Sequence, residues 1–143
     1  MARPSETAGT AMAEIDLEKR LWTIPASRMK KTREHTVPLT DQMIEILTAM
    51  EPISCRYDYV FPSDRKPLES TNAKTVNMAL KRMGYAGQLA SPGLRALAST
   101  SLNEKDFEPD IIDTALAPVD RNSVRAAYNR ADYIDWRRSM MDW

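Results

Sequence analysis

His35-Thr36-Val37-Pro38-Leu39-Thr40-Asp41-Gln42-Met43-Ile44 is the stretch whose reading decides the fold. Its first half is β-prone, and Pro38, which has no N–H to donate, fits only a strand end or an edge. Its second half is a helix start. Thr40-Asp41 offers a capping side chain, and Met43, Ile44, Leu47 and Met50 follow at helical spacing. Pro52 is expected to close that helix. A strand that passes directly into an amphipathic helix predicts a mixed chain rather than an all-helical one.

Working upstream, Ile15-Asp16 and Leu21 to Pro25 flank the charged Leu17-Glu18-Lys19-Arg20. With Thr36 to Leu39 these runs predict a small antiparallel sheet near the N-terminus. Working downstream, Tyr57 to Phe61 is a short β-prone aromatic run. Ser70 is the expected cap of a helix carrying Val76, Ala79, Leu80 and Met83 and ending at Gly84. Further helices are expected over Gly93 to Asn103 and over Asp110 to Ala117, the latter opened by Pro109. Two more are expected over Arg121 to Ala131 and Tyr133 to Trp143. The fold class is therefore α+β, mainly α-helical, as one domain over residues 1–143.

Composition agrees. With 43% hydrophobic and 28% charged residues, a chain of 143 can bury a real core. The single cysteine, Cys55, excludes an internal disulfide and fits a reducing compartment. No run approaches the roughly 18 apolar residues of a membrane span, and Met1 to Glu6 has no signal-peptide core. The expectation is a cytoplasmic protein with no membrane partner.

Twenty basic and twenty acidic residues balance to a formal charge of zero, so the whole molecule has no basic footprint for nucleic acid. Local footprints remain open. Arg28, Lys30, Lys31 and Arg33 cluster, and Arg121, Arg125, Arg130, Arg137 and Arg138 form a C-terminal series. Each has an ordinary reading as solvated surface. There is no glycine-rich phosphate loop, no Cys/His metal spacing and no nucleophile elbow, so no metal or cofactor is expected. His35 is the sole histidine.

Four segments, in order, carry a stronger signal. They are Ala2-Arg3-Pro4-Ser5-Glu6 with Ala13-Glu14-Ile15-Asp16-Leu17; Trp22-Thr23-Ile24-Pro25-Ala26-Ser27-Arg28-Met29-Lys30 running to His35-Thr36-Val37-Pro38-Leu39; Gly93-Leu94-Arg95-Ala96-Leu97-Ala98-Ser99-Thr100; and Arg121-Asn122-Ser123-Val124-Arg125-Ala126-Ala127-Tyr128-Asn129-Arg130-Ala131. Together they resemble the catalytic domain of tyrosine recombinases, especially bacterial prophage integrases.

The resemblance implies roles. Arg3 matches the first catalytic arginine, with Glu6 as its supporting acid. Lys30, with Lys31 as the neighbouring alternative, matches the general-acid lysine. Arg95 matches the second catalytic arginine and Tyr128 the nucleophile. Arg28, Lys31, Arg33, Arg121 and Arg125 are the expected DNA contacts, and double-stranded DNA the expected partner. These residue types suit the chemistry. Paired guanidinium groups grip the non-bridging oxygens of a phosphodiester, and fixed positive charge stabilises the negative charge that grows in the transition state. A tyrosine hydroxyl attacks phosphorus and keeps the bond as a 3′-phosphotyrosyl link, and a lysine ammonium protonates the leaving 5′-oxygen.

Two positions depart from the family motif. Pro92 stands where a histidine should precede Arg95, and Pro118 where a histidine or tryptophan should precede Tyr128. Each replaces a hydrogen-bonding ring by a rigid residue without an N–H. Loss of such a group typically costs on the order of 10²–10⁴ in rate, so a lowered activity is expected. The chain also starts close to Arg3. The resemblance then implies that the family's first helical segment and its preceding DNA-clamping domain are missing here.

Three functions follow from this reading: strand cleavage and rejoining, DNA binding without cleavage as the remnant of a decayed prophage gene, and association with an intact integrase. The C-terminal segment with Trp136 and Trp143 is expected either to dock on another subunit, as in a homo-oligomer or with a full-length integrase, or to fold back on its own domain.

Overall fold

A computed structural model describes residues 2–29, 33–116 and 133–143. Its N-terminal part is a three-stranded antiparallel sheet in the order β1-β2-β3, with β1 Ile15–Asp16, β2 Leu21–Ile24 and β3 His35–Pro38. The register pairs Trp22 with Val37 and Ile24 with His35. Along β2 buried and half-buried positions alternate, as the two-residue period of a strand requires. The expected sheet is therefore present, and Pro38 takes the end position that its missing N–H demands.

Helix α1, Pro4–Ala8, precedes the sheet, and α2, Asp41–Ser54, follows it. Thr40 caps α2 as its sequence suggests, its Oγ accepting from the Met43 N–H at 3.3 Å. Arg20, at the end of the β1–β2 turn with a φ of 56°, accepts the Leu39 N–H at 2.9 Å and pairs through its guanidinium with Asp41. The hairpin and the start of α2 are thereby locked together.

The remaining described helices are α3 Thr75–Leu80, α4 Ser91–Glu104, α5 Pro109–Ala115 and α6 Ile134–Asp142. Asn77 of α3 accepts both the Ser91 N–H at 2.8 Å and the Ser91 hydroxyl at 2.9 Å, which fixes the start of α4. Pro92 and Pro109 lie in first turns, where the lost N–H has no helical partner anyway.

Several boundaries differ from the sequence reading for identifiable reasons. Pro52 does not end α2. It falls so close to the C-terminus that little of the hydrogen-bond ladder is lost, and the last turn is held by Cys55 N–H to Glu51 O at 2.8 Å and Ser54 Oγ to Met50 O at 2.9 Å. Ser70 caps nothing. It forms an isolated bridge with Pro62, and α3 starts five residues later. A single π turn, Lys81–Tyr85, extends α3 and is broken at Gly84, whose φ of 94° is one that glycine alone adopts without strain. Tyr57 to Phe61 is not a strand. It contributes one bridge, Ala11 to Tyr59, reinforced by Met12 N–H to Asp58 O and Val60 N–H to Thr10 O, each at 2.9 Å. The Arg121 to Ala131 helix lies outside the described residues.

Two apolar clusters hold the chain. Trp22, Ile24, Val37 and Leu39 form the first, with Ala2, Ile15, Met29, Met43, Ile44 and Leu47 around it. Leu102, Ile111, Ile112, Ala115 and Met140 form the second. Met141 of α6 packs against both. Met78 and Met83 are exposed. The C-terminal segment folds back on its own domain: α6 lies on β3, and Trp143 makes an edge contact with Phe107 at 5.9 Å between ring centres. Ile24 is completely buried. Ile24→Val should lower the unfolding free energy by about 0.5–1.5 kcal/mol, read as a lower denaturant midpoint with an unchanged slope.

Candidate functional site

The N-terminal arginine is built into a network rather than left on a loose end. Glu6 is at the third position of α1, and its carboxylate accepts the Arg3 backbone N–H at 2.6 Å and the Arg3 guanidinium at 2.7 Å. Glu6 is almost fully buried, whereas Arg3 keeps about a third of its side chain exposed. The acid therefore orients the arginine while leaving part of the guanidinium accessible. A charge-assisted bond of this kind is stronger than a neutral one.

Behind this pair lies Arg28. Its Nη2 donates to the Glu6 carbonyl at 2.6 Å and its Nη1 to the Glu14 carboxylate. Glu14 also accepts the Trp22 indole N–H at 3.0 Å. Gly9 makes room: a β-carbon there would stand 2.9 Å from Arg28 Nη2. Arg28 thus braces α1 against the sheet, with its charge opposed by Glu14. Glu14→Gln removes the charge but keeps an acceptor. It should cost about 1.5–3 kcal/mol, the range for hydrogen bonds to charged groups, and a thermal unfolding scan would read it.

Arg95 is on α4, half-buried, and its Nη2 donates to the Leu116 carbonyl just after α5. Burial lowers its pKa, the positive charge of Arg3 lowers it further, and the carboxylate of Glu6 opposes both. Arg3, Glu6 and Arg95 thus share one electrostatic neighbourhood although α1 and α4 are far apart in sequence. Two guanidinium groups against one acid, which is bonded to Arg3, leave a net positive field suited to an anion.

His35 belongs to the same neighbourhood. Its ring is buried at the start of β3, and its Nε2 has no hydrogen-bond partner among the described residues. Burial holds its pKa down at about 3, assisted by surrounding positive charge that includes Arg137, Arg95 and Arg3. The imidazole is therefore neutral at pH 7. Arg137 comes from α6. It is 1% exposed and donates to the Thr36 carbonyl at 2.6 Å. Sequence reasoning placed Arg137 in a basic surface series and missed its burial. The available signal was its spacing, three and four residues before Met140 and Met141, which puts it on the apolar face of a helix.

Among the residues expected from sequence, the structure brings Arg3, Glu6 and Arg95 together. Pro92 is exposed one turn before Arg95, and Arg33 is exposed before β3. Lys30, Lys31, Pro118, Arg121, Arg125 and Tyr128 lie outside the described residues. No group of three or more candidate metal ligands occurs among the described residues, and no helix there is long and apolar enough to cross a membrane.

A small antiparallel sheet near the N-terminus in a mainly helical chain is the fold that the four segments imply. The family model for the phage integrase family matches residues 1–134, and the chain belongs to that family. It is 52% identical over 143 residues to prophage integrase IntA of Escherichia coli strain K12, covering all of this chain and 35% of that protein. It is 38% identical over 147 residues to the integrase of Shigella phage Sf6, covering 99% of this chain and 37% of the relative. Prophage integrase IntS of Escherichia coli strain K12 is 37% identical over 147 residues, with the same 99% and 37% coverage. The chain thus spans little more than a third of the length of these relatives. No solved structure matches it.

Proposed function

We propose that this chain provides the phosphodiester-cleaving part of a site-specific DNA recombinase, working through a 3′-phosphotyrosyl intermediate. One observation carries the reading: in a member of the phage integrase family, the arginines at the two motif positions, Arg3 and Arg95, share one electrostatic neighbourhood. A scissile phosphate held between them would have its non-bridging oxygens neutralised by preorganised donors, usually the largest contribution to such catalysis. Glu6 would keep Arg3 in position. Lys30 would protonate the 5′-oxygen that leaves, and Tyr128 would attack phosphorus. Lys31, Arg33, Arg121 and Arg125 would contact the flanking backbone. Arg28, already engaged with Glu14 and the Glu6 carbonyl, would support Arg3 indirectly.

Pro92 and Pro118 would slow the reaction without changing its course: each removes a hydrogen-bonding ring that handles the phosphate, but neither position supplies the nucleophile or the paired guanidinium groups. The names of the relatives, prophage and phage integrases, support a role in moving prophage DNA. The test is a DNA duplex nicked beside the cleavage site, so that the short product strand diffuses away and the covalent complex accumulates. Adduct formation on a denaturing gel is the expected result. DNA binding that weakens steeply with salt, but with no adduct, would leave only phosphate contact and favour the non-catalytic remnant.

A further inference from the structure

We propose that Arg28 is a positioning residue for Arg3: fixed by Glu14 and given room by Gly9, its guanidinium holds the Glu6 backbone, and through Glu6 it sets the direction of the first arginine. The inference rests on the reading of Arg3 as part of a phosphate grip, and deepens it by assigning Gly9, Glu14 and Arg28 to the aim of that grip. Helix α1 has five residues, too few to hold its own shape in water. The direction of Arg3 is therefore decided by what ties the helix down. Glu6 is tied twice. Its buried carboxylate accepts the Arg3 backbone N–H at 2.6 Å and the Arg3 guanidinium at 2.7 Å. Its carbonyl accepts Arg28 Nη2 at 2.6 Å, whereas the Thr10 hydroxyl reaches the same oxygen only at 3.4 Å. That carbonyl is at the C-terminal end of α1, where the final carbonyls lack helical partners and a cation is favoured.

Arg28 is itself anchored. Its Nη1 donates to both carboxylate oxygens of Glu14, and one of those, Oε2, also accepts the Trp22 indole N–H at 3.0 Å. The Glu14 side chain is 9% exposed and that of Arg28 24%, so water and salt screen the pair little. Trp22 belongs to the apolar cluster of the sheet. The line of contacts thus runs from the sheet through Glu14 and Arg28 to Glu6, and ends at Arg3, whose side chain is 31% exposed. Gly9 has a φ of −92° and a ψ of 18°, a backbone open to any residue. What it supplies is clearance, since a β-carbon there would stand 2.9 Å from Arg28 Nη2, closer than real β-carbons come. Arginine suits position 28 because its planar fork presents two terminal nitrogens to two different acceptors, whereas lysine is a single point charge.

The variant that separates the two bonds of Arg28 is Arg28→Lys, which keeps a cation beside Glu14 and removes the nitrogen that reaches Glu6. Gly9→Ala presses on that same nitrogen and takes its place should Arg28→Lys fail to fold, as judged by near-ultraviolet circular dichroism. The readout is the Arg3 side-chain signal in a proton–nitrogen correlation spectrum of the intact chain, assigned by its absence in Arg3→Lys and followed through a titration with sulfate. In the folded variant the Arg3 signal should move toward those of exposed arginines, and sulfate should bind about 3–10-fold more weakly, the effect of one ordinary hydrogen bond. On a saturating nicked duplex the adduct should form up to about 10²-fold more slowly, the cost of misplacing a group from a distance, with DNA affinity unchanged. An unmoved Arg3 signal with unchanged sulfate affinity in a folded variant would confine the brace to stability and overturn the proposal. A fall in DNA affinity with no change at Arg3 would make Arg28 a direct DNA contact and overturn it as well. If the wild type binds no sulfate and forms no adduct while the Arg3 signal still moves in the variant, the phosphate reading falls and the brace stands.

Discussion

Replacing Tyr128 with phenylalanine should abolish the covalent adduct on a nicked substrate while leaving thermal unfolding and salt-sensitive DNA binding unchanged. The phenolic oxygen is the only atom removed, so no cavity is opened and packing is kept. On the proposed reading the chemistry would lose its nucleophile outright, since attack requires an oxygen held in line with the leaving group at about 3–3.5 Å from phosphorus. Arg95→Gln should act differently on the same gel. If Arg95 grips a non-bridging oxygen as proposed, that grip is weakened and adduct formation should fall by about 10²–10³-fold, the usual cost of one preorganised donor. Persistence of the adduct in Tyr128→Phe would transfer the nucleophile to another residue and sink the assignment. The ratio of the two effects also separates a reacting group from a binding one.

The second large effect is a loss of stability in mild acid that traces to His35. The folded ring titrates at about 3, against an ordinary value of 6.5. Between those values the unfolded chain holds a proton that the folded chain does not, so stability rises with pH through this window. The contribution is fully present above pH 6.5 and is lost as pH falls towards 3. At pH 5 the loss is about 2 kcal/mol, and at pH 3.5 about 4 kcal/mol, from 1.36 kcal/mol per pH unit. Carboxylates titrate over part of the same range, so the measurement is comparative. Urea unfolding of the wild-type chain and of His35→Gln at pH 7 and pH 5 should show the wild type losing about 2 kcal/mol more than the variant. Equal losses would mean that the ring is already protonated or is solvated in the folded state.

The sheet and most helices were legible because their signals are local. Thr40 before Met43 and Ile44, Pro109 before Ile111, and the charged turn between Asp16 and Leu21 each act within a few residues of where they stand. What was illegible depended on position along an element or on distant partners. Pro52 is a breaker in a helix interior but harmless in a last turn, and the sequence does not say which it occupies. Ser70 resembles a cap, yet its backbone is claimed by Pro62. The site divides in the same way. Arg3 and Arg95 stand out in the sequence because their neighbours repeat a family pattern. That Arg28 serves Glu14 and Glu6 follows from the fold of the β2–β3 connection against α1, which no run of residues announces. The burial of Arg137 and His35 was illegible for a related reason. Each is ordinary in its own segment, and only their meeting across the chain gives them an electrostatic role.

The contact between Arg137 and Thr36 spans 101 residues of sequence. Such a long closure carries a search cost that short-range pairs do not. It also makes the molecule sensitive to continuity of the backbone. A single cut anywhere between β3 and α6 converts an intramolecular contact into the encounter of two separate pieces. The effective concentration supplied by the tether, in the millimolar range for short flexible connections, is then lost. The sheet would keep its own hydrogen bonds but lose the Met141 contact that joins its core to the helical one. The last turns of the chain are in this sense the keystone of its first strands.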